Sequence, residues 1–140
     1  MELIEFQLRD QIALLTSGGD YFDLHSNFDF TKLEYDIINK SVIFSWKKSI
    51  DSWAKEEKVS NIHMKFQEVS FFSIHQKHLL KNTDCDLNLS FIGYLHPEDS
   101  EITNGCLSTN CEDKNFHIIL GFESGMSIRI FAKEVILFCE

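Results

Sequence analysis

Apolar and polar residues alternate with period two over much of the second half of the chain. Phe116, Ile118, Leu120 and Phe122 alternate with residues such as His117, and Met126, Ile128 and Ile130 resume the rhythm after Glu123. Ser124-Gly125 lies between the two runs, and glycine supplies the positive φ of a two-residue turn of the primed type. The pattern predicts an antiparallel hairpin of Phe116 to Glu123 with Met126 to Ala132. A second hairpin is expected where Leu33, Tyr35 and Ile37 alternate with Glu34 and Asp36, Asn39-Lys40 turns the chain, and Val42, Phe44 and Trp46 alternate with Ser45 and Lys47. Ile62, Met64 and Phe66 then face one way and His63, Lys65 and Gln67 the other. The pattern breaks at Glu68 before Val69, Phe71 and Phe72, which predicts a bulge or turn near Gln67-Glu68. Leu87, Leu89 and Phe91 make a further strand opposite Asn88 and Ser90. The run from Glu134 to Cys139 is apolar on both faces, as in a strand that is central between two layers or covered by a partner.

Elsewhere the period is less decisive. Ile4, Leu8, Ile12 and Leu15 fall on one helical stripe, although Ile4, Phe6 and Leu8 would also suit a strand. Thr16-Ser17-Gly18-Gly19 supplies a stop signal at the right place, so a helix is expected before it. Asp20 to Thr31 reads as a loop or irregular strand. Ser49 to Lys58 carries Ile50, Trp53 and Ala54 among charges and reads as one short amphipathic helix or an ordered loop. His96 to Lys114 is the longest irregular stretch and the expected main surface loop. The predicted fold is therefore one mainly β domain over residues 1–140, α+β at the margin. Six or seven short strands and one N-terminal helix would form an antiparallel curved sheet, a sandwich or a partly open barrel, among which the pattern does not choose.

Composition narrows the function classes. Of 140 residues 44% are apolar and 13 are phenylalanine, enough for a core that needs no disulfide or metal. The formal net charge of −9, spread over both halves, repels phosphate backbones and disfavours nucleic acid as a partner. No apolar run approaches the roughly 18 residues of a membrane helix, and Met1-Glu2-Leu3-Ile4-Glu5 lacks the basic region of a signal peptide. A soluble cytoplasmic protein with reduced Cys85, Cys106, Cys111 and Cys139 is the expectation, and Cys139, within an apolar run, reads as a core residue. In that setting the glycosylation-like triplets Asn39-Lys40-Ser41 and Asn88-Leu89-Ser90 read as turn and strand residues.

No motif dictates a reaction. Cys106 and Cys111, with Cys85 and His96, lack the paired spacing of a structural zinc site, and no metal or cofactor is expected. His75 and His78 flank Gln76-Lys77 without a third ligand, and Asp84-Cys85-Asp86 suits turn and edge positions as well as a magnesium pair. Ser124 is displaced from the centre of a nucleophile elbow, and the scattered glycines form no phosphate-binding loop. What stands out is collective: Glu98, Asp99, Glu101, Glu112 and Asp113 border one irregular segment that also presents Ile102 and Leu107. Such a surface suits a basic protein partner as well as plain solubility.

The succession Leu33-Glu34-Tyr35-Asp36, Val42-Ile43-Phe44-Ser45-Trp46, Phe66-Gln67-Glu68-Val69 and Glu134-Val135-Ile136-Leu137 resembles, in layout, small bacterial β-rich proteins of unknown function. Some of those resemble immunity proteins of polymorphic toxin systems. The resemblance covers about residues 20–140 and carries no binding residue over. It implies a non-enzymatic protein that occludes a toxin domain, with a basic nuclease as one version. Two other readings stay open: a small-ligand or metal-dependent enzyme using His63, His75, His78 and Asp84, and a structural subunit that forms a homo-oligomer through its C-terminal strand.

Overall fold

The structure is a computed structural model and describes residues 1–76, 88–99 and 114–140. In chain order its strands are β1 (Glu2–Ile4), β2 (Phe6–Arg9), β3 (Ala13–Thr16), β4 (Tyr21–Asp23), β5 (Phe28–Asp36), β6 (Ser41–Lys48), β7 (Asn61–Gln67), β8 (Phe71–His75), β9 (Leu89–Leu95), β10 (His117–Phe122), β11 (Ser127–Phe131) and β12 (Glu134–Cys139). They form a five-stranded sheet β1-β12-β7-β6-β5, a four-stranded sheet β8-β11-β10-β9 and a three-stranded sheet β2-β3-β4, none of them closed. Every pairing is antiparallel except β1 with β12. The mainly β expectation holds, with more and shorter strands than alternation indicated. Among the described residues no helix is long and apolar enough to cross a membrane.

The expected N-terminal helix is absent. Glu5, at φ 62°, turns the chain out of the five-stranded sheet, so Ile4 and Leu8 belong to different sheets and never share a face. Asp10 and Gln11, at φ 51° and 60°, then reverse the chain, and the Ile12 N–H closes the turn on the Arg9 carbonyl at 3.1 Å. Burial follows the strand period, taking in Phe6 and Leu8, while Ile4, Ile12 and Leu15 are only half-buried. The stop signal at Thr16 to Gly19 is instead a hairpin turn, with Gly19 at φ 91° and its N–H on the Thr16 carbonyl. Asp20 to Thr31 contains β4, a turn in which the Asp23 carboxylate accepts the His25 and Ser26 N–H groups, and the start of β5.

The β5–β6 hairpin forms with two departures. Phe30 faces Trp46 and Lys32 faces Ser45, so Thr31 is an extra residue that moves the inward stripe from Phe28 and Phe30 to Leu33 and Tyr35. The turn is wider than Asn39-Lys40: Ile37 leaves the stripe at 75% exposure, and the Asp36 carboxylate accepts the Ile38 and Asn39 N–H groups. These bonds hold the Asp36 carboxyl below its ordinary range. The expected break after Gln67 is present at Glu68, whose φ of 52° redirects the chain from β7 toward β8 in the four-stranded sheet. Ser52–Glu56 is one short 3₁₀ helix that buries Ala54.

The C-terminal hairpin pairs Ile118 with Ile130 and Gly121 with Ser127. Its turn is not the two-residue primed type. Gly125 N–H bonds the Phe122 carbonyl and Phe122 N–H bonds the Met126 carbonyl, so Glu123-Ser124-Gly125 is a three-residue loop with Gly125 at φ 88°. β12 is an interior strand of its sheet, between β1 and β7, but it is not enclosed between two layers: Val135 is buried on one face and Phe138 is about half exposed on the other.

One core joins the three sheets. Phe30 of β5 meets Phe122 of β10 at a ring distance of 4.9 Å, and Phe22 of β4 meets Phe28 at 6.2 Å. Trp46 is fully buried at its centre, and its Nε1–H has no hydrogen-bond partner. An orphaned buried donor costs about 1–3 kcal/mol, comparable to the space a smaller ring leaves behind. Trp46→Phe is therefore expected to change stability by less than about 1 kcal/mol, against about 3–5 kcal/mol for Trp46→Ala, as read from urea midpoints.

Candidate functional site

The sequence-derived candidates are dispersed. Glu98 and Asp99 are exposed in the turn after β9, while Glu101, Glu112 and Asp113 lie outside the described residues. His63 stands on the outer face of the five-stranded sheet, and His75 ends β8 in the four-stranded one. The described members of that polar cluster thus belong to different sheets, and His78, Asp84, Cys85, Cys106 and Cys111 fall outside the described residues. Cys139 is not a core residue. Inward alternation fails at the end of β12 and leaves it exposed, although partial burial and then Asp20 hold its thiol above the ordinary range. Ser124 acts within its turn, its Oγ accepting the Met126 N–H at 3.1 Å. Among the described residues no three His, Cys, Asp or Glu side chains are grouped to hold a metal ion.

One arrangement has the order of a hydrolytic triad. Ser45 Oγ is hydrogen-bonded to His63 Nδ1 at 2.9 Å, and His63 Nε2 lies 4.0 Å from the Glu140 carboxylate. Ser45 sits within β6, paired on both sides by β5 and β7, so its backbone amides serve the ladder rather than an oxyanion hole. The contact orients the imidazole above a groove that also includes Phe138 and Lys65.

A second concavity gathers groups of one chemical kind. The β4–β5 turn contributes His25, Ser26 and Asn27, the start of β5 contributes Asp29, and the segment after β6 contributes Ser49, Asp51 and Trp53. Asn88 and Glu123 close it from beside the four-stranded sheet, giving a cleft of about 630 Å³. Trp53 is 63% exposed, yet its indole is fixed because Nε1–H donates to the Ser26 carbonyl at 2.7 Å. His25 Nδ1–H donates to the Leu89 carbonyl at 2.5 Å, and Asn88 Nδ2 to Glu123 at 3.3 Å, tying the cleft walls together. Three carboxylates, those of Asp29, Asp51 and Glu123, line the cleft and no lysine or arginine does. Burial, and then the charge of Asp51, push the Asp29 carboxyl above its ordinary range.

Trp53 stands out in the sequence, but this setting does not. Its members come from four separated stretches with no motif spacing, and the one local signal was a tryptophan among charges with little apolar company. No family model, no curated protein and no solved structure matches the chain.

Proposed function

We propose that this protein is a non-enzymatic binding module that receives a cationic side chain of a protein partner in the cleft beside Trp53. The observation that carries the reading is the convergence of three carboxylates on a fixed, exposed indole with no basic side chain in the lining. Carboxylates attract a guanidinium or ammonium group, and an indole face adds about 0.5–2 kcal/mol to its binding. Ile50, 94% exposed beside the cleft, offers apolar contact at the rim. A tryptophan anchor ringed by polar groups is a common composition for the centre of a protein interface. The net charge of −9 favours encounter with a basic partner. An immunity protein that sterically occludes a basic toxin domain is the version we favour.

The test follows the Trp53 indole N–H resonance during titration with a tetra-arginine peptide, with tetra-glutamate as control, across a salt series. Saturable shifts with the basic peptide alone, weakened by salt and about tenfold weaker in an Asp29→Asn/Asp51→Asn variant, are expected; tenfold corresponds to about 1.4 kcal/mol. Absence of a Trp53 response, or a response unchanged by the two amides, would overturn the reading.

A further inference from the structure

The outer face of the four-stranded sheet holds a polar network that the cleft does not use. Arg129 of β11 donates four hydrogen bonds: Nε to His117 Nδ1 at 3.0 Å, Nη1 to the Asp99 carbonyl at 2.5 Å, and Nη2 to the Pro97 and His96 carbonyls at 2.9 and 3.1 Å. Its guanidinium lies 5.4 Å from the centre of the Phe71 ring. His117 of β10 sits against Phe71 and Phe131, with ring centres 4.9 and 5.1 Å away. The turn is also bonded within itself, since the Glu98 N–H donates to His96 Nδ1 at 3.2 Å. His96 in turn packs edge-on against Phe116.

Both histidine contacts have a forced direction. Arginine Nε and a backbone amide can only donate, so Nδ1 of His117 and Nδ1 of His96 must each carry a free lone pair. An imidazolium has none, and at His117 it would also set a positive charge against the guanidinium. We propose that the His96–Asp99 turn is a pH-sensitive clasp, released when protonation of His117 frees Arg129 from the His96, Pro97 and Asp99 carbonyls. Opening redirects the exposed carboxylates of Glu98 and Asp99, so acidification changes the charge this face presents.

The surroundings of His117 fix the sense of the switch. Among the described residues, β11 presents Arg129, β8 presents the uncharged Phe71 and Ser73 and, at its far end opposite Ser127, the titratable His75, and the turn after β9 brings His96, Glu98 and Asp99. On β10's own stretch of chain, Lys114 lies three residues before His117. The turn reaches Arg129 through backbone carbonyls, so its carboxylates do not neutralise the guanidinium directly. Burial, and then Arg129, hold His117 below its ordinary value of 6.5. The folded state therefore binds fewer protons there than the unfolded chain. The stability it contributes is fully present above pH 6.5 and is lost as pH falls through the folded value.

The test is an NMR titration of the whole chain from neutral to acid pH, following the His117 ring, the Arg129 Nε–H and the Glu98 and Asp99 amides. Co-titration with one midpoint below 6.5, and at least a tenfold rise in amide exchange at Glu98 relative to the free-chain rate, are expected. In His117→Asn, which places a non-titrating oxygen where Nδ1 stands, the Arg129 and Asp99 signals should keep their neutral-pH positions. A His117 titration in the wild type that leaves Arg129 and Asp99 unmoved would overturn the proposal. So would the same midpoint persisting in His117→Asn. The wild-type titration decides the matter even if that variant folds poorly.

Discussion

Phe44→Ala is expected to destabilise the protein by about 3–5 kcal/mol, the range for deleting a fully buried aromatic ring. Phe44 is wholly inaccessible, and its ring contacts Phe66 at 4.9 Å, Phe30 at 6.1 Å and Trp46 at 6.3 Å. Those partners come from β5, β6 and β7, so the cavity opens where three strands of one sheet meet the shared core. They are large and mutually packed, which leaves little freedom to collapse into the space. A domain is stable by only about 5–15 kcal/mol, so this one change removes a third or more of a middling value. Tyr35→Ala in the neighbouring strand is the internal contrast, because Tyr35 is already 48% exposed and packs chiefly against Phe72. Urea unfolding reads both, with an unchanged slope showing that the midpoint shift is a stability change. A loss below about 1 kcal/mol for Phe44→Ala would show that the core can close without this ring.

The parts of the fold legible in the sequence were those where one period persisted for six or more residues between turn signals. β6 and β7 are such segments: Val42, Phe44 and Trp46 oppose Phe66, Met64 and Ile62 in register, and all six are fully buried. The N-terminal region failed because β1 to β4 are three or four residues each, too short to reveal a period. Two of its three reversals also fall on Glu5 and on Asp10-Gln11, which take positive φ without the glycine that usually signals it. With those turns hidden, the spacing of Ile4, Leu8, Ile12 and Leu15 imitated a helix. Thr31 concealed itself similarly, since a bulge shifts the inward stripe without changing composition.

The cleft was illegible for a different reason. Asp29, Asp51 and Glu123 each looked like an ordinary strand or turn residue, and only the junction of the β4–β5 turn, the 3₁₀ helix and the C-terminal hairpin makes them neighbours. Arg129 was similarly unremarkable as the polar residue between Ile128 and Ile130. Its role comes from the register that sets it beside His117 and the end of β9. Charge patterning pointed instead to one long acidic segment, of which Glu98 and Asp99 lie within the described residues.

Gly125→Val is expected to cost about 2 kcal/mol, because a Cβ is disfavoured by about 1–2 kcal/mol in the left-handed region and a β-branched side chain fares worse. Gly125 has φ 88°, and its N–H and the Phe122 N–H close the loop through bonds of 2.9 Å each. Gly125→Asn should recover much of the loss, since asparagine visits that region more readily than valine. The consequence reaches the cleft. Glu123 belongs to the same loop, its N–H donates to the Asn88 carbonyl at 3.0 Å, and its carboxylate lines the cavity with Asp29 and Asp51. A valine that unseats the loop should therefore move the Trp53 indole resonance, whereas Phe44→Leu, a core change that leaves this loop intact, should leave that resonance near its wild-type position. Thermal or urea unfolding of the Val and Asn variants, read beside that resonance, makes the comparison. Equal stability of the two would mean that the loop does not require a left-handed residue at this position. A destabilised Val variant with an unmoved Trp53 signal would separate the hairpin from the cleft and leave the positioning of Glu123 to its bonds with Asn88 alone.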